Sequence, residues 1–224
     1  MAIYNGDLAV SPVLRTVAAR HAAHVIPFGE GPGAHHRALD VRIQDTITVM
    51  RGRAWRTPLL YKINAPGRHF AINALAVMAV VQVLRLDRAI AAGDLGRWRP
   101  VEGRGMRETI RLDRVDTHLT LDLIDDAYNA NPDSFRAAID VLSDLGEDSL
   151  LIAGDMAELG ADSELMHREV GQYARGKIKN IWSVGERSEA IAEAFGGHHF
   201  HSIADLLAVL PARLETETAV LVKG

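Results

Sequence analysis

DDAYNANPDSF, residues 125–135, is the stretch from which the fold of the second half of the chain is best read. It follows the apolar segment 119–124 and leads into 133–145, where apolar residues recur at helical spacing. Because Asn, Asp and Pro are turn-forming residues, the pattern predicts a strand, a turn and a helix in that order. The turn carries more hydrogen-bonding groups than a connection needs. It is therefore either a ligand-binding loop or simply a strand-to-helix turn with a capped helix.

The side chains of this run suit a ligand that carries hydroxyls and an anion. Asp126 leaves the predicted strand, and its carboxylate could accept two hydroxyls of a ribose. Asn129 and Asn131 can each donate and accept hydrogen bonds. Either Asp133 or Ser134 could cap the next helix, whose N-terminus favours an anion.

Alternating strands and helices extend downstream from this loop. Short apolar segments predict strands at 107–112, 119–124, 149–153, 180–184 and 219–222, with helical patterns between them. Strands that alternate with helices of this length indicate βαβ units and a mostly parallel sheet, so the fold class is α/β. Ligands of such sheets bind at the carboxyl ends of the strands, which is where the quoted loop lies.

Upstream of the loop the pattern is different. Residues 71–84 are apolar on almost every side, which predicts a buried helix. Residues 38–49 and 55–63 alternate as strands, with Arg51-Gly52-Arg53 as their predicted junction. The stretch 96–103 holds two Gly and a Pro without periodicity, and it predicts a domain linker at 98–103.

Composition narrows the class of protein. The 224 residues are 48% hydrophobic and 24% charged, as in ordinary globular proteins, and no apolar run is long enough to cross a membrane. The net charge of -4 and the scattered basic residues argue against nucleic-acid binding. There is no Cys, so disulfides and thiolate chemistry are excluded, which fits a cytoplasmic protein.

Several further motifs suggest ligand chemistry, and each has a plainer explanation. Residues 171–178 match the first part of a phosphate loop, but Ile178 replaces the required Ser or Thr and a helix precedes the segment. Residues 29–33 have the glycines of a dinucleotide fingerprint but no following helix. Adjacent histidines, at 35–36 and 198–199, point to opposite faces of a strand, which disfavours a metal site.

The segment GDMAELG, residues 154–160, also follows a predicted strand. Its two acids could face the same ligand edge, while a loop whose glycines permit the turn explains it equally well. His167 follows in a predicted helix. A lone histidine there is usually a surface or capping residue, so we do not expect it to be catalytic.

Taken together and in order, these motifs resemble those of the Mur ligases over essentially the whole chain. The resemblance is carried by Gly67-Arg68-His69, Asn73-Ala74-Leu75, Gly103-Arg104, DDAYNANPDS, GDMAELG with His167, Ser183-Val184-Gly185 and the final VLVKG. Members of that family have three domains in this order: a UDP-substrate domain, a central ATPase domain and a Rossmann-like C-terminal domain. The resemblance implies that 1–97 is the C-terminal part of the ATPase domain and that 104–224 is a truncated Rossmann-like domain.

The resemblance also implies an activity. In the family, ATP phosphorylates a carboxylate of the sugar–peptide precursor, and an amine then displaces phosphate from the acyl phosphate, with Mg²⁺ screening the charge. The closest pattern implies addition of D-alanyl-D-alanine to UDP-N-acetylmuramoyl-tripeptide during peptidoglycan synthesis. The implied partners are these two substrates, with no nucleic acid and no membrane.

Site residues follow from the same resemblance, position by position. Asn73 is expected to bind the adenine, Arg104 the phosphates or ribose, and Asp126 the ribose hydroxyls. The remaining residues implied are Tyr128 and Asn129 on the nucleotide, and Asn131 and Lys223 on the incoming dipeptide. No catalytic residue and no metal ligand is expected within these 224 residues.

Two departures from the family pattern qualify this expectation. Phe70 stands where the family often has an Asn that contacts adenine, and no complete phosphate loop is present. The chain is therefore expected to be a truncated piece of a ligase and to be inactive alone. Two alternatives stay open: a non-catalytic nucleotide- or peptide-binding module, and a fragment similar to the folylpolyglutamate synthases.

Overall fold

The chain divides into two units, Met1–Arg99 and Pro100–Gly224, each with its own sheet. The computed structural model describes residues 1–44, 46–113, 119–146 and 148–224. The boundary between the units lies inside the stretch 98–103, where composition predicts a linker.

The first unit is a five-stranded sheet with three helices. Its strands, in spatial and chain order, are β1 (Ala2–Asn5), β2 (Val25–Gly29), β3 (His36–Gln44), β4 (Ile47–Ala54) and β5 (Thr57–Ile63). The first three are parallel neighbours, and β3, β4 and β5 pair antiparallel. The helices are α1 (Ser11–His21), α2 (Arg68–Val83) and α3 (Arg88–Leu95).

The predicted apolar helix is α2, and it forms the core of this unit with the sheet. Leu75 and Met78 are buried against Met50 of β4. The hydroxyl of Tyr61 donates a hydrogen bond of 2.7 Å to the carbonyl of Ala71, which fixes the helix to β5. No helix in the described part of the chain is both long and apolar enough to cross a bilayer.

The predicted junction at Arg51-Gly52-Arg53 is wrong, because β4 runs straight through it. The strand boundaries lie instead at Gln44/Ile47 and at Ala54/Thr57. A Cβ on Gly52 would lie 2.2 Å from the carbonyl oxygen of Arg37 in β3. Glycine is required here for close approach of two strands and not for a turn.

The second unit is a six-stranded sheet in the order β10-β9-β8-β11-β7-β6, as an α/β fold with a mostly parallel sheet predicts. Only the edge pair β6–β7 is antiparallel. The strands are β6 (Met106–Arg111), β7 (Thr120–Asp125), β8 (Ser149–Ala153), β9 (Asn180–Val184), β10 (His198–Phe200) and β11 (Ala219–Lys223). The helices are α4 (Pro132–Ser143), α5 (Ser163–Ala174), α6 (Glu189–Phe195) and α7 (Ile203–Leu214).

Helices cover both faces of this sheet. Residues of α4, α5 and α6 belong to one buried cluster, which includes Phe135, Val170 and Ile191, while Leu206 of α7 belongs to the other. The last strand, β11, lies between β8 and β7. The carboxyl ends of these three strands are thus adjacent, and they bring together the loops that follow β7 and β8 and the end of β11.

Candidate functional site

Asp126 is the first residue after β7, at the carboxyl edge of the sheet. Its backbone N–H donates to the carbonyl of Val222 over 3.0 Å, which ties the start of the loop to β11. Its Oδ2 accepts a 2.6 Å hydrogen bond from Lys223 Nζ, whereas its Oδ1 has no partner among the described residues. Burial raises the pKa of Asp126 above its ordinary value, and the hydrogen bond from Lys223 offsets this only in part. Lys223 therefore fixes one carboxylate oxygen of Asp126, and the other oxygen is available to accept a hydrogen bond from a ligand.

Lys223 ends β11 with a buried ammonium group. Its side chain is only 1% exposed. Besides Asp126 Oδ2, Nζ contacts the carbonyl oxygens of Asn129 at 3.0 Å and of Asp126 at 3.4 Å. It also lies 5.7 Å from the ring centroid of Phe135. All these partners belong to the loop or to the helix after it, and the predicted contact of Lys223 with a dipeptide stays a prediction.

Arg104 and Tyr128 form an exposed stacked pair beside this loop. The guanidinium carbon of Arg104 lies 4.0 Å from the centroid of the Tyr128 ring, and the tyrosine is 68% exposed. The Tyr128 backbone N–H donates to the carbonyl of Gly103 over 2.9 Å. Gly103 has a φ of 73°, and a Cβ there would lie 3.0 Å from the Tyr128 Cβ, so glycine is needed at this position. The stacking on Tyr128 thus places the guanidinium of Arg104 at the surface of the loop.

Asp125 is a supporting residue that the sequence analysis did not identify. Its Oδ2 accepts the N–H of Gly103 at 2.8 Å, and its carbonyl accepts the N–H of Gly105 at 2.8 Å. Its Oδ1 accepts the N–H of Ala127 at 3.3 Å. The only signal in the sequence was that Asp125 and Asp126 are adjacent at a strand end. Adjacent side chains of a strand point in opposite directions, so the two acids contact different partners. Asp125 thus fastens the segment that carries Arg104 to the loop.

The asparagines of the loop have structural partners of their own. Asn131 is the N-cap of α4: its Oδ1 accepts the N–H of Ser134 at 2.8 Å, and the Ser134 hydroxyl accepts the N–H of Asn131 at 3.0 Å. The expectation that Asp133 or Ser134 is the capping residue was therefore wrong, since Ser134 only reciprocates. Asn129 Oδ1 accepts the N–H of Ala130. Both asparagines are exposed, and their ligand contacts stay predictions.

Asn73 belongs to the first unit, where it lies on the exposed side of α2. Phe70, one turn earlier, contacts the ring of His69 at a centroid distance of 4.0 Å and that of Trp98 at 5.4 Å. The residue that departs from the family pattern is therefore packed within an aromatic group. The binding of adenine by Asn73 stays a prediction.

His167 is fully buried, so the expectation of a surface or capping residue was wrong. Its Nε2 accepts the N–H of Met156 at 2.9 Å, and its Nδ1 lies 2.7 Å from the Ser163 carbonyl, to which it donates. The imidazole therefore ties the loop after β8 to the start of α5. Asp155 of the same loop caps α6 through one oxygen, which accepts the N–H groups of Arg187 and Ser188.

The segments that resemble a phosphate loop and a dinucleotide fingerprint have structural explanations. Gly171 lies inside α5, where a Cβ would come within 2.3 Å of the Ile191 carbonyl, so it permits close packing of α6. The loop 29–33 receives the carboxylate of Asp7, which accepts the N–H groups of Glu30 and Gly31. Within the described ranges, no group of three or more His, Asp or Glu side chains could hold a metal ion.

Comparison with known proteins settles the family. The family described as "Mur ligase, glutamate ligase domain" matches residues 110–224, which is about half of the chain. The chain belongs to the Mur ligase family. The α/β fold and the resemblance noted from the motifs are thereby confirmed.

Curated relatives carry one recurring name. The UDP-N-acetylmuramoyl-tripeptide–D-alanyl-D-alanine ligase of Escherichia coli is 39% identical over 165 residues, which are 71% of this chain and 34% of that protein. Its counterpart in Haemophilus influenzae is 36% identical over 152 residues, which are 67% of this chain and 32% of that protein. The chain thus spans about a third of the length of these relatives.

Solved structures show the same fold. A crystal structure of MurF from Acinetobacter baumannii superposes with a TM-score of 0.85 at 24% identity, covering 99% of this chain and 48% of that one. MurF ligase from Thermotoga maritima in complex with ADP superposes with a TM-score of 0.79 at 21% identity, covering 99% and 49%. The architecture of both units therefore occurs in Mur ligases.

Proposed function

We propose that these residues form part of an ATP-dependent ligase that joins D-alanyl-D-alanine to UDP-N-acetylmuramoyl-tripeptide. The reaction would belong to peptidoglycan synthesis in the cytoplasm, and so to cell wall biogenesis, cell shape and cell division. The identity to relatives of that name supports the proposal. The observation that supports it most strongly is that Lys223 binds one oxygen of the Asp126 carboxylate and leaves the other available, near the exposed guanidinium of Arg104.

The loop after β7 would bind the nucleotide. Asp126 Oδ1 is a fixed acceptor for ribose hydroxyls, because Lys223 restrains the other oxygen. Arg104 offers a planar fork of donors for phosphate oxygens, and its stacking on Tyr128 reduces the side-chain entropy lost on binding. Tyr128 and Asn129 would line the nucleotide.

The chemistry would come from ATP and the two substrates. The tripeptide carboxylate would take the γ-phosphoryl group of ATP, which releases ADP and leaves an acyl phosphate. The dipeptide amine would then attack the acyl carbon, forming the amide and releasing phosphate and a proton. The residues of this chain would bind and orient, with Asn131 on the side of the dipeptide, and none is assigned a catalytic role. Mg²⁺ would act as a cofactor that screens the phosphate charge, and the described residues of this chain include no cluster that would hold it.

The proposal is tested by measuring phosphate release with the protein as its source cell makes it. Release should require ATP, UDP-N-acetylmuramoyl-tripeptide and D-alanyl-D-alanine together. Arg104→Gln and Asp126→Asn should each raise the KM for ATP by about tenfold or more, because a hydrogen bond to a charged group contributes about 1.5–3 kcal/mol. Arg97→Gln removes an exposed guanidinium paired with Asp94 and should change the KM less than about twofold.

The same assay discriminates the alternatives. Release of phosphate that does not depend on the dipeptide would contradict the proposal. Tight ATP binding without turnover on any substrate pair would support a non-catalytic binding module. Turnover with folate and glutamate instead would support a folylpolyglutamate synthase.

A further inference from the structure

The most buried charge in the described part of the second unit is the ammonium of Lys223. A buried lysine is costly unless its charge is paired and its protons are donated. Here the side chain is 1% exposed, and Nζ lies within hydrogen-bond distance of Asp126 Oδ2 and of the carbonyl oxygens of Asn129 and Asp126. The three protons of the ammonium therefore match three oxygens of a single loop.

The backbone of Lys223 is fixed independently of its side chain. It ends β11, which has parallel neighbours on both sides. Its carbonyl accepts the N–H of Gly154 over 2.6 Å, and the carbonyl before it, that of Val222, accepts the N–H of Asp126. A Cβ on Gly154 would lie 2.9 Å from the Cα of Gly224, so the chain is closely packed at this end of the strand. Lys223 is thus a rigid point from which the side chain reaches the loop after β7.

We propose that Lys223 is a positioning residue for the nucleotide site: it holds Asp126 Oδ2 and the Asn129 carbonyl so that Asp126 Oδ1 faces the ribose hydroxyls. This inference rests on the proposed function. It gives Lys223 a role through Asp126 in place of direct contact with the dipeptide, because its protons are already directed at oxygens of its own chain.

The orientation of Asp126 is what this arrangement controls. A carboxylate without an anchor rotates about its side-chain torsions, and binding must then restrain it. The hydrogen bond to Lys223 restrains it beforehand, and the Asn129 bond holds the next turn of the loop in register with it. Loss of Lys223 should therefore weaken contacts with the ribose hydroxyls more than contacts with the rest of the nucleotide.

The test compares the dissociation constants of ATP and 2′,3′-dideoxy-ATP, measured by calorimetry. The wild-type protein should prefer ATP by about tenfold, the value of one such hydrogen bond. Lys223→Met should weaken ATP binding about tenfold and dideoxy-ATP binding less than about threefold, which lowers the preference from about tenfold to less than about threefold. Asp126→Asn should do the same, and the double variant should lose no more than either single variant.

Lys179→Met is the matched control. Lys179 also forms an ion pair with an aspartate, Asp148, at 2.9 Å, but its side chain is 61% exposed. This variant should keep the preference for ATP. A Lys223→Met protein that folds, binds both nucleotides and still prefers ATP tenfold would overturn the inference while leaving the proposed function intact.

A second measurement needs no substitution and covers the case in which Lys223→Met does not fold. The ¹⁵N resonance of the Lys223 ammonium should shift when ATP is added and stay in place with dideoxy-ATP. Equal shifts with both nucleotides would overturn the inference. If the wild-type protein binds neither nucleotide, the proposed function fails, and the positioning role fails with it.

Discussion

Two aspartates occupy the same kind of position in the two units, yet the fold uses them differently. Asp7 follows β1, and both of its oxygens are occupied: Oδ2 accepts the N–H of Glu30 at 2.5 Å and Oδ1 that of Gly31 at 2.9 Å. Asp126 follows β7, and among the residues that the structure describes only Lys223 binds its carboxylate, through Oδ2. An acid at a strand end therefore indicates a ligand site only when one of its carboxylate oxygens has no hydrogen-bond partner in the folded protein.

The partners of the two acids also differ in kind. Backbone N–H groups hold Asp7, and its own N–H donates to Asn5 Oδ1 at 2.9 Å, so the acid closes a loop of the first unit. A buried ammonium holds Asp126, so removal of the acid leaves a buried charge without its ion-pair partner. The contrast predicts different costs of substitution in the two units, which the following experiments measure.

Asp126→Ala should have the largest effect. It leaves the Lys223 ammonium buried and unpaired, which costs about 3–5 kcal/mol. Hydrogen exchange of the β8 and β11 amides reports the free energy of unfolding of the second unit. The double variant Asp126→Ala/Lys223→Met should recover a large part of the loss, and a double variant no more stable than Asp126→Ala would show that the ion pair is not the cause.

Asp7→Ala should destabilise only the first unit, by about 1.5–3 kcal/mol, the value of a hydrogen bond to a charged group. The second such bond is partly replaced by water, since the loop is exposed. Exchange of the β2 and β4 amides measures the effect. Asp94→Ala, which removes an exposed acid paired with Arg97, should cost less than about 0.5 kcal/mol. Equal losses of stability in Asp7→Ala and Asp94→Ala would show that the hydrogen bonds of Asp7 stabilise the first unit no more than an exposed ion pair does.

The first unit should also respond to acid, through a buried histidine. Burial, with a smaller contribution from His35 and Arg88, lowers the pKa of His36 from 6.5 to about 4, and Gln82 opposes this shift only in part. A lowered folded-state pKa of a histidine favours the neutral ring, so its contribution is complete above pH 6.5 and is lost as the pH falls toward 4.

This pH dependence is checked by unfolding at several pH values between 6.5 and 4. His36→Phe removes the proton uptake, and its stability should fall less over this window than that of the wild type. Parallel curves for the wild type and His36→Phe would exclude His36 as the responsive group.

The smallest effect is expected at Tyr128. Tyr128→Leu removes the ring under Arg104, and an exposed cation–π contact contributes about 0.5–1 kcal/mol. The affinity for ATP should fall about two- to fivefold, with no change in the stability of the second unit. Tyr128→Phe keeps the ring and should bind like the wild type. A loss as large as that in Arg104→Gln would mean that Tyr128 contacts the nucleotide itself.

Features that depend on local pattern were predictable from the sequence. The apolar residues of α2 and the strand–turn–helix order of β7 and α4 follow from periodicity and turn chemistry. Asp126 was proposed as a ribose ligand from its place at a strand end and again from the family resemblance, whereas Arg104 was selected from the resemblance alone. Their ligand contacts are still predictions.

Features that depend on tertiary contacts were not predictable in this way. Gly52 was assigned to a turn because its sequence does not show that a Cβ there would meet the carbonyl of Arg37 on the neighbouring strand β3. His167 is buried by a loop eleven residues earlier. The Lys223–Asp126 pair joins residues 97 apart, and it exists because β11 inserts between β8 and β7, a strand order that no local pattern specifies.

The central claim is that Asp126 divides its two oxygens between the protein and a nucleotide. A crystal structure of this chain with ADP tests it most directly. We expect Asp126 Oδ1 within about 2.8 Å of a ribose hydroxyl, with Oδ2 still on Lys223 and the Arg104 guanidinium on the nucleotide. Ordered ADP bound away from the loop after β7, with Asp126 Oδ1 making no contact to it, would contradict the account.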